Sequence, residues 1–242
     1  MLITRAAEDC GSWAEQLRDA GAVPVILPCI ACETIDEPRV RARLADALPE
    51  TDWIVFTSRR GVEAFGRLLA ETGHAIPPGV RIGAVGPATA DASLTLLGRV
   101  DLIAEAGTAE SLAQALVYQM DQDDAPESSA QRILIAVAEN AGSVLEDTLD
   151  SAGAACTRVD VYRTVPAGVR QVKQALSELG ADKILLASPT AVIGLLNQVE
   201  LDTAAEIFTI GPSTSQAAQA VALSVTGEAT SPSLKGLMEM MR

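Results

Sequence analysis

Trp53-Ile54-Val55-Phe56-Thr57-Ser58 is a run of four apolar residues closed by two hydroxyls, and apolar residues then recur with helical spacing over Val62–Ala70. A short, wholly apolar run that gives way at once to a helical period marks a strand buried on both faces, as in a parallel sheet. The same grammar returns at Ile184-Leu185-Leu186-Ala187-Ser188-Pro189. Each copy is followed by a helix and then by a second matching pair: Ile82-Gly-Ala-Val-Gly-Pro-Ala-Thr-Ala90, and Ile207-Phe-Thr-Ile-Gly-Pro-Ser-Thr-Ser215. Thr108-Ala-Glu-Ser-Leu112 and Ser231-Pro-Ser-Leu234 make a third correspondence in the same order. Ordered self-similarity of this kind indicates two related α/β lobes.

Outward from these motifs, Met1–Thr4, Val23–Leu27, Arg81–Val85, Ile133–Val137, Lys183–Ala187 and Glu206–Ile210 read as further strands. Amphipathic stretches at Trp13–Ala20, Ala109–Met120, Val144–Ala152 and Gln171–Leu179 read as helices. Strands alternating with helices predict parallel sheets. Glu33–Pro38 and Val159–Pro166 are charged or proline-marked and read as linkers, and the acidic Asp121–Ser129 reads as a solvated loop.

Composition narrows the function classes. The 242 residues fit one large or two small domains. Apolar residues make up 48% and aromatics only 3%, so the core is built from Ala, Leu, Val and Ile. A net charge of −14 argues against nucleic acid and anionic membranes as partners. No apolar stretch approaches the roughly 18 residues that span a bilayer, and Glu8 and Asp9 follow Arg5 where a signal peptide needs an apolar run. The expected location is the cytoplasm. Cys29 and Cys32 form a CxxC without a second pair, and His74 is the single histidine. Two buried thiols are the favoured reading over a redox or metal site. No metal is expected, and chemistry here has to proceed without imidazole.

Ser188 before Pro189 predicts an N-cap with proline in the first helical position. Gly86-Pro87 and Gly211-Pro212 predict tight strand-to-helix turns. Four helix starts thus fall just past the carboxyl ends of strands, where open α/β sheets bind ligands. Unpaired N–H groups and a partial positive charge make helix starts receptors for carboxylates or phosphates, even in an acidic chain. Thr57, Ser58, Thr89, Ser188, Ser213 and Thr214 add hydroxyls, each of which either touches ligand or caps only its own helix. A Walker lysine and a dinucleotide fingerprint are both absent, which argues against a nucleotide-using enzyme.

The ordered set Leu2-Ile-Thr-Arg5, Asp52-Trp-Ile-Val-Phe-Thr-Ser58, Val85-Gly-Pro-Ala-Thr89, Val161-Tyr-Arg-Thr164, Leu186-Ala-Ser-Pro189 and Ile210-Gly-Pro-Ser-Thr214 resembles the uroporphyrinogen-III synthase family nearly end to end. Ala187 departs from the hydroxyl residue often found there, and Ile135-Ala-Val-Ala-Glu-Asn140 lacks an Arg-Gly pair common after that strand. The resemblance implies two α/β lobes with parallel sheets, joined by a two-stranded hinge with a cleft between them. Lobe one would comprise residues 1–35 plus 165–242, and an inserted lobe two residues 36–164.

It further implies a cofactor-independent cyclising hydro-lyase of haem biosynthesis, cytoplasmic and monomeric. Such an enzyme converts hydroxymethylbilane, which bears an acetate and a propionate on every pyrrole, to uroporphyrinogen III. The terminal hydroxyl leaves as water, an azafulvene forms, and a spiro intermediate inverts the last pyrrole. On this reading Arg5, Thr57, Ser58, Arg59, Thr89, Arg163, Ser188, Ser213 and Thr214 bind substrate, with Arg60 as a further cation. Tyr162 either assists departure of the hydroxyl or packs in the hinge strand. A catalytically inactive bilobed protein that binds a small anion or tetrapyrrole is the alternative.

Overall fold

The computed structural model describes residues 1–122 and 130–241. In chain order the elements are β1 (Leu2–Ile3), α1 (Ala7–Asp19), β2 (Val25–Ile26), β3 (Ile30–Thr34), α2 (Pro38–Ala47), β4 (Trp53–Phe56) and α3 (Arg59–Thr72). Next come β5 (Arg81–Ala84), α4 (Pro87–Leu97), β6 (Leu102–Ile103), α5 (Ala109–Gln122), β7 (Arg132–Ala138), α6 (Val144–Ser151) and β8 (Ala155–Pro166). The chain finishes with β9 (Gln174–Ala175), α7 (Leu176–Leu179), β10 (Lys183–Leu186), α8 (Pro189–Gln198), β11 (Val199–Glu200), β12 (Glu206–Thr209), α9 (Pro212–Ala220), β13 (Gly227–Glu228) and α10 (Leu234–Met240). They form two compact units, one of Met1–Cys32 with Thr164–Arg242 and the other of Glu33–Arg163.

The discontinuous unit holds a five-stranded sheet in the order β13-β12-β10-β1-β2, with every neighbouring pair parallel. One face carries Leu2, Ile184, Leu186 and Ile207 against Ala191, Val192 and Leu195 of α8. The other packs Ile3, Leu185 and Phe208 against Trp13 and Leu17 of α1 and Leu237 of α10. Successive strand residues thus feed opposite cores, which is why these runs are apolar without alternation.

The continuous unit repeats the scheme in a six-stranded sheet, β3-β8-β7-β4-β5-β6. Ile54 and Phe56 pack with Val62 and Phe65 of α3, and with Val40 and Leu44 of α2. Trp53 and Val55 face Leu112 and Leu116 of α5 and Leu145 and Leu149 of α6. In both units the lead strand is paired in register with its echo: Phe56 lies beside Ala84, and Leu186 beside Thr209.

Several expectations change. Gln171–Leu179 is not one helix: Gln174–Ala175 pairs with Val199–Glu200, and only Leu176–Leu179 is helical. Gly180, in the left-handed region at φ 61°, stops that helix after one turn. Of the two stretches read as linkers, Val159–Pro166 lies wholly within β8, which pairs along β7 as far as Tyr162 and accepts the Ile35 N–H at the Val161 carbonyl at 2.9 Å. In Glu33–Pro38 only Glu33 and Thr34 belong to a strand, and Pro38 already opens α2. Only Val25–Ile26 of the expected strand Val23–Leu27 is paired. Of the acidic stretch Asp121–Ser129, Asp121 and Gln122 close α5, and residues 123–129 lie outside the described residues. Among the described residues no helix is long and apolar enough to cross a membrane.

Candidate functional site

In the continuous unit, β4 delivers Thr57 and Ser58 to the carboxyl edge of the sheet. Ser58 is the N-cap of α3: its Oγ accepts the Gly61 N–H at 3.0 Å. Gly61 passes close to β7, where a Cβ would meet the Ala136 carbonyl oxygen at 3.0 Å, a tight contact. The Ser58 hydroxyl also lies 3.0 Å from the Tyr162 hydroxyl. Tyr162 reaches it because β8 lies one strand beyond β7, with Ala138 beside Tyr162, and Ala136 beside Phe56 of β4. A register shift between Val137 and Ala138 turns the end of β8, so the backbone there alternates differently from the rest of the strand.

Next to this pair, β5 ends at Ala84 and leads through Val85 to Gly86, the cap of α4, with Pro87 in its first turn and Thr89 buried at 4% exposure. Adjacent parallel strands therefore place the first turns of α3 and α4 side by side. Arg59 makes an ion pair with Glu63 at 3.3 Å. The two residues line a cavity of about 390 Å³ with Ala88 and Asp91 of α4.

Arg163 is less available than the sequence suggests. It is paired with Glu37 and lies 3.8 Å from Glu139, and its bond to Glu37 holds that carboxylate below its ordinary range.

The discontinuous unit builds the same arrangement. Ser188 caps α8 by accepting the Ala191 N–H at 3.1 Å, with Pro189 following as expected. Gly211 caps α9, followed by Pro212, Ser213 and Thr214. Thr214 is 1% exposed, and its Oγ1 has no hydrogen-bond partner among the described residues. A buried hydroxyl without a partner costs on the order of 1–3 kcal/mol, so a ligand or water at the helix start is its natural complement. Arg5 follows β1, pairs with Asp9 at 3.4 Å and stacks over the Trp13 ring at 4.8 Å. Thr4 is committed to structure, donating to the Leu185 carbonyl at 2.7 Å.

The structure thus gathers Ser58, Thr89 and Tyr162 at one strand edge of their unit, and Arg5, Ser188, Ser213 and Thr214 at the corresponding edge of theirs. Two residues the sequence reading passed over belong with the second set. Ser215 and Glu228 are hydrogen-bonded to each other beside Thr214. The repeat carried a signal for Ser215, because its counterpart in the other echo is Ala90.

A larger cavity, about 900 Å³, lies elsewhere in the continuous unit, among Arg39, Arg43, Asp46, Thr157, Arg158 and Asp160. Arg158 there is already engaged by Glu146 at 2.8 Å and Asp160 at 2.7 Å. None of the expected site residues lines it, and the strand edges fit a ligand better because they offer helix starts and an unsatisfied hydroxyl.

All four cysteines are free thiols. Cys29 is buried and donates to the Leu27 carbonyl at 3.3 Å, while Cys32 lies 3.8 Å from the Thr164 hydroxyl, so the CxxC spacing does not form one site.

The family model described as Uroporphyrinogen-III synthase HemD matches residues 11–239. The chain is 27% identical over 227 residues to a porphyrin biosynthesis protein HemD of Ruminiclostridium josui, covering 90% of this chain and 43% of that protein. It is 28% identical over 168 residues to a uroporphyrinogen-III synthase of Synechococcus elongatus, covering 68% of this chain and 60% of that protein. The chain therefore spans about half the length of these curated relatives. Among solved structures, the uroporphyrinogen-III synthetase of Helicobacter pylori aligns with TM-score 0.57 at 16% identity, over 89% of this chain and 91% of that one. A mutant uroporphyrinogen III synthase of Thermus thermophilus aligns with TM-score 0.53 at 15% identity, over 99% of this chain and 96% of that one. At these identities the structural likeness speaks to the α/β fold.

Proposed function

We propose, from the premise that this chain belongs to the uroporphyrinogen-III synthase family, that it cyclises hydroxymethylbilane to uroporphyrinogen III without a cofactor. The observation that carries the reading is the pair of hydroxyls at the carboxyl edge of the continuous unit, Ser58 and Tyr162, 3.0 Å apart. Ser58 already accepts the Gly61 N–H, so its own hydrogen is free to be donated to the Tyr162 oxygen. Tyr162 then keeps its O–H free to point outward.

In this reading Tyr162 donates that proton to the terminal hydroxyl of the substrate as the pyrrole nitrogen pushes electrons toward the breaking C–O bond. Water leaves, and the electron-poor azafulvene remains. The substituted carbon of the last pyrrole attacks the exocyclic methylene to give the spiro intermediate, which fragments and recloses with the ring turned over. The proton is returned to the tyrosine when the new ring carbon loses its hydrogen. The pyrroles supply the electron push themselves, which is why the reading needs neither metal nor cofactor.

Each unit by itself offers groups suited to carboxylates: the continuous unit has N–H groups at the starts of α3 and α4 with Arg59, Arg60, Thr57 and Thr89, and the discontinuous unit has those at the starts of α8 and α9 with Arg5, Ser188, Ser213 and Thr214. Peptide dipoles explain how a chain of net charge −14 receives a polyanion. The protein's main task is orientation: a hundredfold preference for inversion needs only roughly 2.7 kcal/mol.

The test is to supply enzymatically generated hydroxymethylbilane, oxidise the products and resolve the porphyrin isomers. Type III product is expected. Type I alone, at ample protein, overturns the proposal and leaves a bilobed tetrapyrrole or anion binder.

A further inference from the structure

We propose that Glu228 is a positioning residue for the start of α9, acting through a directed chain of hydrogen bonds from Thr209 to Ser215 to its own carboxylate. Thr209 ends β12, and Glu228 ends the neighbouring β13 directly beside it in the parallel register. Ser215, in the first turns of α9, donates to Glu228, and its oxygen lies 2.6 Å from the Thr209 hydroxyl. An ionised carboxylate only accepts, and a serine has a single hydrogen. The order is therefore fixed, with Thr209 donating to Ser215 and Ser215 donating to Glu228. Thr209 is 0% exposed and Ser215 6%. The Phe208 ring packs close over Gly227, where a Cβ would meet it at 3.1 Å.

The continuous unit provides an internal control. Its β5 and β6 pair in the same parallel register, with Ala84 beside Ile103, and its α4 begins with the same glycine, proline and threonine order. The positions of Thr209, Ser215 and Glu228 are filled there by Ala84, Ala90 and Ile103. A strand–turn–helix of this shape thus forms with three apolar residues. Burying hydroxyls and anchoring them to a carboxylate costs desolvation that alanine avoids. A local polar exception of this kind is expected where function demands it.

The residue it serves is Thr214, the neighbour of Ser215, whose buried Oγ1 lacks a partner among the described residues. The chain of bonds pins the turn that aims this hydroxyl, with the Glu228 carboxylate as its terminal acceptor. The consequence for substrate rests on the cyclase reading above.

Thr209→Ala, Ser215→Ala and Glu228→Ile together install the residues of the sister unit. This triple variant and the single Ser215→Ala are compared with the wild-type chain by melting, by steady-state kinetics on hydroxymethylbilane, and by amide exchange in the first turn of α9. Both variants are expected to melt within a few degrees of wild type, to raise KM about tenfold, and to exchange the Thr214 and Ser215 amides faster. Glu228→Gln, which keeps an acceptor, is expected to lose less than either. Wild-type KM and wild-type exchange in Ser215→Ala would overturn the proposal. So would a fall in kcat that merely follows a lost folded fraction with KM unchanged, the signature of a structural role. A wild-type chain that forms no type III product refutes the cyclase reading instead, and the exchange measurement then still decides whether the chain of bonds holds the turn.

Discussion

Replacing Tyr162 by Phe removes a single oxygen and leaves the ring, which packs against the core of the continuous unit. The lost interaction is a hydroxyl–hydroxyl bond of 3.0 Å in a half-buried position. Such a bond contributes about 0.5–1.5 kcal/mol to stability. For a chain of this size that is a fall of roughly 1–6 °C in melting temperature, far too little to unfold the protein at room temperature. If Tyr162 donates the proton that releases the hydroxyl, kcat should fall by about 100-fold or more, the usual range for a positioned general acid. Ser58→Ala is the informative comparison. It loses the same bond and also the cap on the Gly61 N–H, so it should cost more stability than Tyr162→Phe yet less activity, because Tyr162 keeps its proton. Single-turnover consumption of hydroxymethylbilane, alongside thermal melts of each variant, separates the two. Tyr162→Phe with a kcat close to wild type would refute the role, and a rate loss no larger than that of Ser58→Ala would reduce it to orientation.

Ser188→Ala removes the cap on the Ala191 N–H and should cost about 0.5–2 kcal/mol in denaturant unfolding, with Ser188→Gly costing only a few tenths. Gly194→Ala should be among the most damaging single substitutions, because its Cβ would fall 1.7 Å from the Cys29 carbonyl oxygen, a backbone atom that cannot step aside; soluble yield and unfolding midpoint report it, and a wild-type midpoint contradicts the packing. Burial pushes the Cys29 thiol up to about 12, so between the ordinary thiol value of about 8.5 and that point the unfolded chain has released a proton the folded chain retains. Stability should therefore fall as pH rises through this window, and Cys29→Ala should flatten the decline relative to wild type when denaturant midpoints are compared at about pH 8 and about pH 10.

What the sequence made legible was local. Ser58 and Ser188 cap their helices, and Pro189 starts its own, because a hydroxyl or proline at a helix entrance acts on residues within one turn. The parallel sheets were legible for a similar reason, since strands buried on both faces leave unbroken apolar runs. The pairing of Ser58 with Tyr162 was not, because 104 residues separate them and only the order β8-β7-β4 brings them together. Gln171–Leu179 has helical spacing, but the pairing of Gln174–Ala175 with Val199–Glu200 takes its middle into a strand. The region read as the Val159–Pro166 linker is in fact rich in Val, Thr and Tyr, residues that favour strands, and it was Asp160, Arg163 and Pro166 that drew the linker reading; pairing along β7 realises the strand. Glu228 lay outside any motif, and only the contrast of Thr209 and Ser215 with Ala84 and Ala90 marked its surroundings as different from the sister unit.

The share of type III isomer, followed against protein concentration with the supply of hydroxymethylbilane held constant, is the most direct measurement. Capture by the enzyme competes with spontaneous closure, so the type III share should climb from near zero to nearly all product as protein is added, and Tyr162→Phe should shift that curve to higher concentration. A share that stays flat while hydroxymethylbilane closes to type I at every concentration would contradict the assignment of inverting cyclisation to this chain.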